Sequence, residues 1–179
     1  AVINSSAGQW GGAIDCEQGA LHLNQCLIQN NRTSDSFGQG GGAVALYTSE
    51  ASSFYNSTFS GNRQGGSGGF GGGALYIENA DISREFSVDV EHCTFRGNLD
   101  FSGSGSSIRA EAFNTWVWML NTIVADATGR NLAVEAGARI LSLGGNVSDD
   151  ATETIFSQGG ESYVVQLFHP HPDSAARFS

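Results

Sequence analysis

The sequence predicts an all-β chain, a right-handed single-stranded parallel β-helix (a solenoid) of about five coils with glycine-rich loops protruding at one corner. Three observations carry this expectation. Two short motifs alternate along the chain at steps of about thirty residues, apolar residues in the intervening stretches lie two apart, and 25 glycines stand against only 2 prolines in 179 residues. A strand with one apolar face cannot bury it alone, and repeats of this length stack with equivalent positions about 4.8 Å apart.

The first motif opens each repeat. It reads Gly11-Gly12-Ala13-Ile14, Gly41-Gly42-Ala43-Val44 and Gly72-Gly73-Ala74-Leu75, with a decayed copy at Gly105-Ser106-Ser107-Ile108. A first strand follows, with Val44 and Leu46, or Leu75 and Ile77, on one face. The second strand carries Leu21 and Leu23, or Phe86, Val88 and Val90. In the fourth repeat this alternation places Phe113, Thr115, Val117 and Met119 inward and Trp116 and Trp118 outward. The second motif marks the third strand: Cys26-Leu27-Ile28-Gln29-Asn30-Asn31, Ser57-Thr58-Phe59-Ser60-Gly61-Asn62 and Cys93-Thr94-Phe95-Arg96-Gly97-Asn98. Thr122 to Ala127 and Leu141 to Asn146 keep its apolar pattern. Cys26, Ser57, Cys93 and Thr122 are expected to line the core. Asn31, Asn62, Asn98 and Asn146 are expected to form a ladder, because asparagine tolerates left-handed turn geometry and its amide can bond a stacked copy of itself.

Residues 1–150 are read as coils and 151–179 as a closing segment or tail. Val2-Ile3-Asn4 looks like the end of a third strand, so an upstream coil or a partner subunit is expected over the N-terminal end. Loops over 32–40, 63–71 and 99–105 should leave one corner, each with a lone phenylalanine: Phe37, Phe70 and Phe101. These rings either form an aromatic strip for a partner or tuck back to pin their loops.

The net charge of −10, from 18 acidic and 8 basic residues, repels phosphate backbones and anionic membranes and weighs against nucleic-acid binding. The three cysteines lack the spacing of a zinc or redox site and fall on inward positions. No apolar run approaches the roughly 20 residues of a membrane helix, and the first ten residues lack the basic flank of a signal peptide.

The alternation of GGA(I/V/L) with (C/S)xFxGN resembles the repeats of polymorphic outer membrane proteins and related bacterial surface proteins, over residues 10–146. The run His171-Pro172-Asp173-Ser174-Ala175 is similar to the closing segment of secreted bacterial β-helix proteins, with Ala175 where they carry proline. The resemblance implies a secreted, cell-surface or periplasmic chain, and many such proteins are adhesins, binding modules or structural parts.

For chemistry, Trp116 and Trp118 form an outward apolar platform, to be covered by the segment Tyr163 to Phe168, by another protein, or by a stacked sugar. The acids Asp15, Glu17, Glu78, Glu111 and Glu135 fall on outward positions of the first strand. Glu78 and Glu111, one repeat apart with Tyr76 and Arg109 beside them, have a spacing that suits a retaining glycosidase pair or an oxygen-ligated calcium ion. Against this they are read as solvated acids whose repulsion Arg109 relieves, since no wall of long aromatic loops builds a cleft above that strand, and this is the preferred reading. No calcium-binding glycine-aspartate repeat or EF-hand loop occurs, His169 and His171 lack partners, and no Gly-x-Ser-x-Gly elbow appears. No metal or cofactor is therefore expected. The leading expectation is a non-enzymatic surface or structural subunit that binds protein or polysaccharide. The alternative is a carbohydrate-active β-helix using Glu78 and Glu111.

Overall fold

The computed structural model describes residues 1–34, 39–65, 70–101, 104–125 and 130–149. Among these every regular element is a strand, and every strand pairing is parallel. Each strand bonds to its counterpart one repeat away rather than to its neighbour in sequence, which is why the repeat, and not hairpin chemistry, dictates the pairing.

Three sheets carry most of the structure. The first sheet contains Ile14–Cys16, Val44–Thr48, Leu75–Asn79, Ser104–Glu111 and Arg130–Val134. The second contains His22–Asn24, Ser52–Tyr55, Phe86–Glu91, Thr115–Leu120 and Arg139–Gly144. The third contains Val2–Ile3, Leu27–Gln29, Thr58–Ser60, Thr94–Arg96, Ile123–Ala125 and Val147–Ser148. Period-two alternation sends Val44, Leu46, Leu75, Ile77, Phe86, Val88 and Val90 into one core, where all are fully buried. Register makes that core repeat itself: Phe59 lies opposite Phe95, their rings stacked 3° from parallel with centroids 4.8 Å apart, and Phe54 meets Phe59 edge-on.

The glycine pairs are a steric requirement. A Cβ on Gly11, Gly41 or Gly72 would sit 1.7–1.8 Å from the carbonyl oxygen of Ile14, Val44 or Leu75 three residues on. At the decayed copy the equivalent contact, Gly105 to the Ile108 oxygen, relaxes to 3.1 Å. The backbone crowds less there, and this is the copy whose second glycine has become Ser106.

Asn31, Asn62 and Asn98 are buried and stacked. Asn31 donates from both its backbone N and its Nδ2 to Asn62 Oδ1 at 3.0 Å. Asn62 does the same to Asn98 Oδ1 at 3.1 and 3.0 Å. The spare amide hydrogens reach Val2, Ile28 and Phe59 carbonyls. Asn146 is not in this row. Ile123 pairs with Val147, so Asn146 lies beside Thr122, and its Oδ1 accepts from the Thr122 backbone N at 2.9 Å. It thus ends the Cys26, Ser57, Cys93, Thr122 row, where Ser57 and Thr122 hydroxyls likewise cap the backbone N–H of Cys26 and Cys93. The segment Leu141 to Asn146 was expected to copy the third-strand motif, but Leu141 pairs with Trp118 and belongs to the second sheet. Nor do the ladder asparagines hold the left-handed turns. Those fall one residue earlier, at Asn30, Gly61 and Gly97, and at a second corner formed by Gln25, Asn56, His92, Asn121 and Gly145.

The expected loops begin and end in strand, and 35–38, 66–69 and 102–103 lie outside the described residues. Arg32–Thr33, Arg63–Gln64 and Leu99–Asp100 pair with one another and with Ser6–Ala7, and Gln39–Gly41 pairs with Phe70–Gly72. Phe70 therefore lies in a strand opposite Gln39, not in a loop. The tail over 151–179 is outside the described residues.

Candidate functional site: the outer face of the first sheet

The strands of the first sheet turn one row of side chains to the core and the alternate row away from it. Directly opposed along the outward side are Asp15, Ala45, Tyr76, Arg109 and Ala133. Ala110 pairs with Val134, so Glu135 follows in the next outward row. That row runs Glu17, Tyr47, Glu78, Glu111 and Glu135, with Tyr47 opposite Glu78 and Glu78 opposite Glu111. Tyr76 and Arg109 point away from the core, yet they are 0% and 1% exposed. A buried guanidinium requires compensating charge, and the acids of the next row supply it. Arg109 Nε donates to Glu111 Oε1, and Arg109 Nη2 lies 2.7 Å from Glu135 Oε2.

Tyr76 stands between the two acids singled out from the sequence. Its hydroxyl donates to Glu78 Oε2 at 2.6 Å and lies 3.2 Å from Glu111 Oε2. Burial first, then the two carboxylates, push the phenol well above its ordinary value, so it stays protonated and acts as a donor. One phenolic hydrogen cannot fully serve two carboxylates. Glu111 also receives the Arg109 Nε, so it is the Glu78 end of this face that is rich in acceptors and poor in donors.

Beside this network is a groove of about 360 Å³ lined by Trp10, Glu17, Tyr47 and Glu78. The Trp10 and Tyr47 rings stand 6.4 Å apart, tilted at 37°. Trp10 has a left-handed backbone, φ 60°, which is an outlier for a bulky residue and is stored at some cost. Its counterpart in the next repeat is Gly40, with φ 135°, followed by Gly71. Sequence reasoning missed Trp10 and Tyr47. The available signal was a tryptophan standing in the position before the Gly-Gly pair that the next two repeats give to glycine. At the edge of the same face, burial and then Glu17 raise the Asp15 carboxyl above its ordinary range.

The tryptophan platform lies on the outer face of the second sheet. Trp116 and Trp118 are half-buried, with near-parallel rings (9°) and centroids 6.0 Å apart, in a groove of about 430 Å³ that includes Glu85 and Ser87. Arg139, opposite Trp116 in the register, places its guanidinium 4.8 Å from the ring centroid. Thr115, Val117 and Met119 are buried, but Phe113 is 61% exposed. Left-handed residues Ala112 and Asn114 break the alternation on either side of it, and its ring lies against Gly137 instead. Of the three loop phenylalanines Phe101 is 55% exposed, while Phe37 and the Phe70 side chain lie outside the described residues.

Among the described residues no cluster of His, Cys, Asp or Glu is arranged to hold a metal ion, and no helix is long and apolar enough to cross a membrane. No protein-family model matches the chain, and neither a curated protein nor a solved structure does.

Proposed function

We propose that the chain is a run of about five coils of a right-handed parallel β-helix that works outside the bacterial cell as a non-catalytic binding segment, with a saccharide as ligand of its first-sheet groove. The observation that carries this reading is the Trp10 and Tyr47 ring pair set beside Glu17 and Glu78. Aromatic faces stack on the C–H faces of sugars while carboxylates accept hydroxyl hydrogens, the usual division of labour in a small-molecule site. The strained Trp10 backbone, at a position where the following repeats carry glycine, supports retention for binding. Parallel pairing one repeat apart and the motif resemblance support the coil architecture and the surface location. Val2–Ile3, Ser6–Ala7, Ile14–Cys16 and His22–Asn24 are the edge strands of four sheets. Their unpaired backbone supports cover by preceding coils or a partner subunit.

The test is titration of the chain with a panel of soluble oligosaccharides, read by tryptophan fluorescence and calorimetry, with Trp10→Ala as control. Binding that Trp10→Ala removes while the strand signal in circular dichroism is retained supports the reading. Absence of binding across the panel sinks it.

A second reading, glycoside hydrolysis by Glu78 and Glu111, is favoured by one observation. Oxygens of both carboxyls lie within hydrogen-bond reach of the same Tyr76 hydroxyl, a short separation that suits a retaining pair. Release of reducing ends that Glu78→Gln and Glu111→Gln each abolish would establish it, and turnover unaffected by either change would refute it.

A further inference from the structure

We infer that the groove selects a saccharide bearing free amino groups, such as a de-N-acetylated hexosamine chain, over neutral and uronic acid chains. This rests on the saccharide reading above and follows from counting charges and hydrogen-bond donors. The groove-lining acids are Glu17, which is exposed and has no ion pair among the described residues, and Glu78, whose one partner there is the Tyr76 hydroxyl. Farther along the same row, Glu111 and Glu135 are both engaged by Arg109. Asp15 adds another carboxylate at the edge of the face. The cation of this network thus sits at the far end from the rings, and the groove end carries two carboxylates without one.

A ligand at that end therefore meets negative potential, spare acceptor lone pairs and two aromatic faces. An ammonium group satisfies all three: it donates three hydrogens, pairs with carboxylate, and is attracted to the face of Trp10 or Tyr47. A neutral hydroxyl supplies the hydrogen but not the charge. A uronate brings a like charge to Glu17 and Glu78, and the chain's net −10 repels it at longer range.

The experiment compares three ligands of equal length on the full chain at low ionic strength: a glucosamine oligomer, its N-acetylated form and an oligogalacturonate. The expected order is amine tightest, by at least about tenfold over the N-acetylated form, with the uronate unbound. High salt should erase the amine advantage, and Glu17→Gln or Glu78→Gln should weaken amine binding by a larger factor than N-acetylated binding. Equal affinity for the amine and N-acetylated forms overturns this inference and leaves the saccharide reading intact. If none of the three binds, and a neutral hexose oligomer fails as well, both fall together.

Discussion

Replacing Asn62 by alanine tests whether the asparagine stack holds successive repeats together or only decorates a corner. Asn62 is fully buried, and its Oδ1 accepts both the backbone N–H and the Nδ2 of Asn31, while its own Nδ2 donates to the Ile28 carbonyl and to Asn98. In Asn62→Ala the Asn31 Nδ2 keeps its bond to the Val2 carbonyl, and the Asn62 backbone N–H keeps Asn98 Oδ1. One group is left without a partner in a water-free site, the Asn31 backbone N–H, while the Ile28 carbonyl loses the amide but keeps its ladder partner in the Thr58–Ser60 strand. An unsatisfied buried group costs about 1–3 kcal/mol, so the loss should be about 2 kcal/mol. Asn31→Ala at the edge of the stack deprives the Ser5 N–H, which is only partly buried, and should cost about half as much. Urea unfolding followed by far-ultraviolet circular dichroism measures both. A loss below about 1 kcal/mol for Asn62→Ala, or equal losses for the two variants, would refute the argument that the ladder's value lies in satisfying buried backbone.

The packing sets further outcomes at the glycines, at Arg109 and at the cysteines. Gly72→Ala forces a Cβ to within 1.7 Å of the Leu75 oxygen, a backbone atom that cannot swing aside, so it should cost about 4 kcal/mol or more. Gly8→Ala, with nothing within 4 Å, should unfold within about 0.5 kcal/mol of the parent in the same assay. Arg109 is 1% exposed and its partner Glu111 17%, so the pair is largely shielded from water. Arg109→Met should destabilise by about 3 kcal/mol, and a double-mutant cycle with Glu111→Gln should return at least about 1 kcal/mol of coupling. A coupling near zero would show that the carboxylate does not hold the guanidinium. Burial pushes the Cys93 thiol up from 9.0 to about 11. Between those values the unfolded chain releases a proton that the folded chain keeps. The full contribution is therefore present below pH 9.0 and is lost as pH rises toward about 11, a slope of about 2–3 kcal/mol in total. Cys93→Ala should remove that part of the alkaline loss. A thiol reagent should label half-buried Cys16 and Cys26 in the native chain and Cys93 only on unfolding.

The strands and their core faces were legible in the sequence because a parallel stack turns a one-dimensional repeat directly into contacts. Val44 over Leu75, and Phe59 over Phe95, need only a period and an alternation to be paired. The glycine pairs were legible for the same reason, although only the folded backbone shows that the excluded Cβ would strike a carbonyl oxygen. The sequence placed Glu78 opposite Glu111 correctly, since both lie on regular strand.

Register shifts and turns decided the rest. Asn146 resembles the earlier motif ends, yet the last repeat is shorter, and its asparagine arrives at the beginning of a strand, where it caps Thr122 instead of extending the stack. Phe113 obeys the period of its strand but sits between two left-handed residues that the period cannot foresee. Tyr76 and Arg109 occupy outward positions that alternation assigns to solvent, and they are nonetheless buried, because alternation fixes the face a side chain takes and not what covers that face. Trp10 joins Tyr47 and Glu78 across successive repeats through the bend before Gly11, so the groove exists only once the repeats are stacked. A linear pattern can fix which residues share a row, because rows inherit the repeat. Which rows meet a ring, a cation or water is set by turns and covering segments that obey no period.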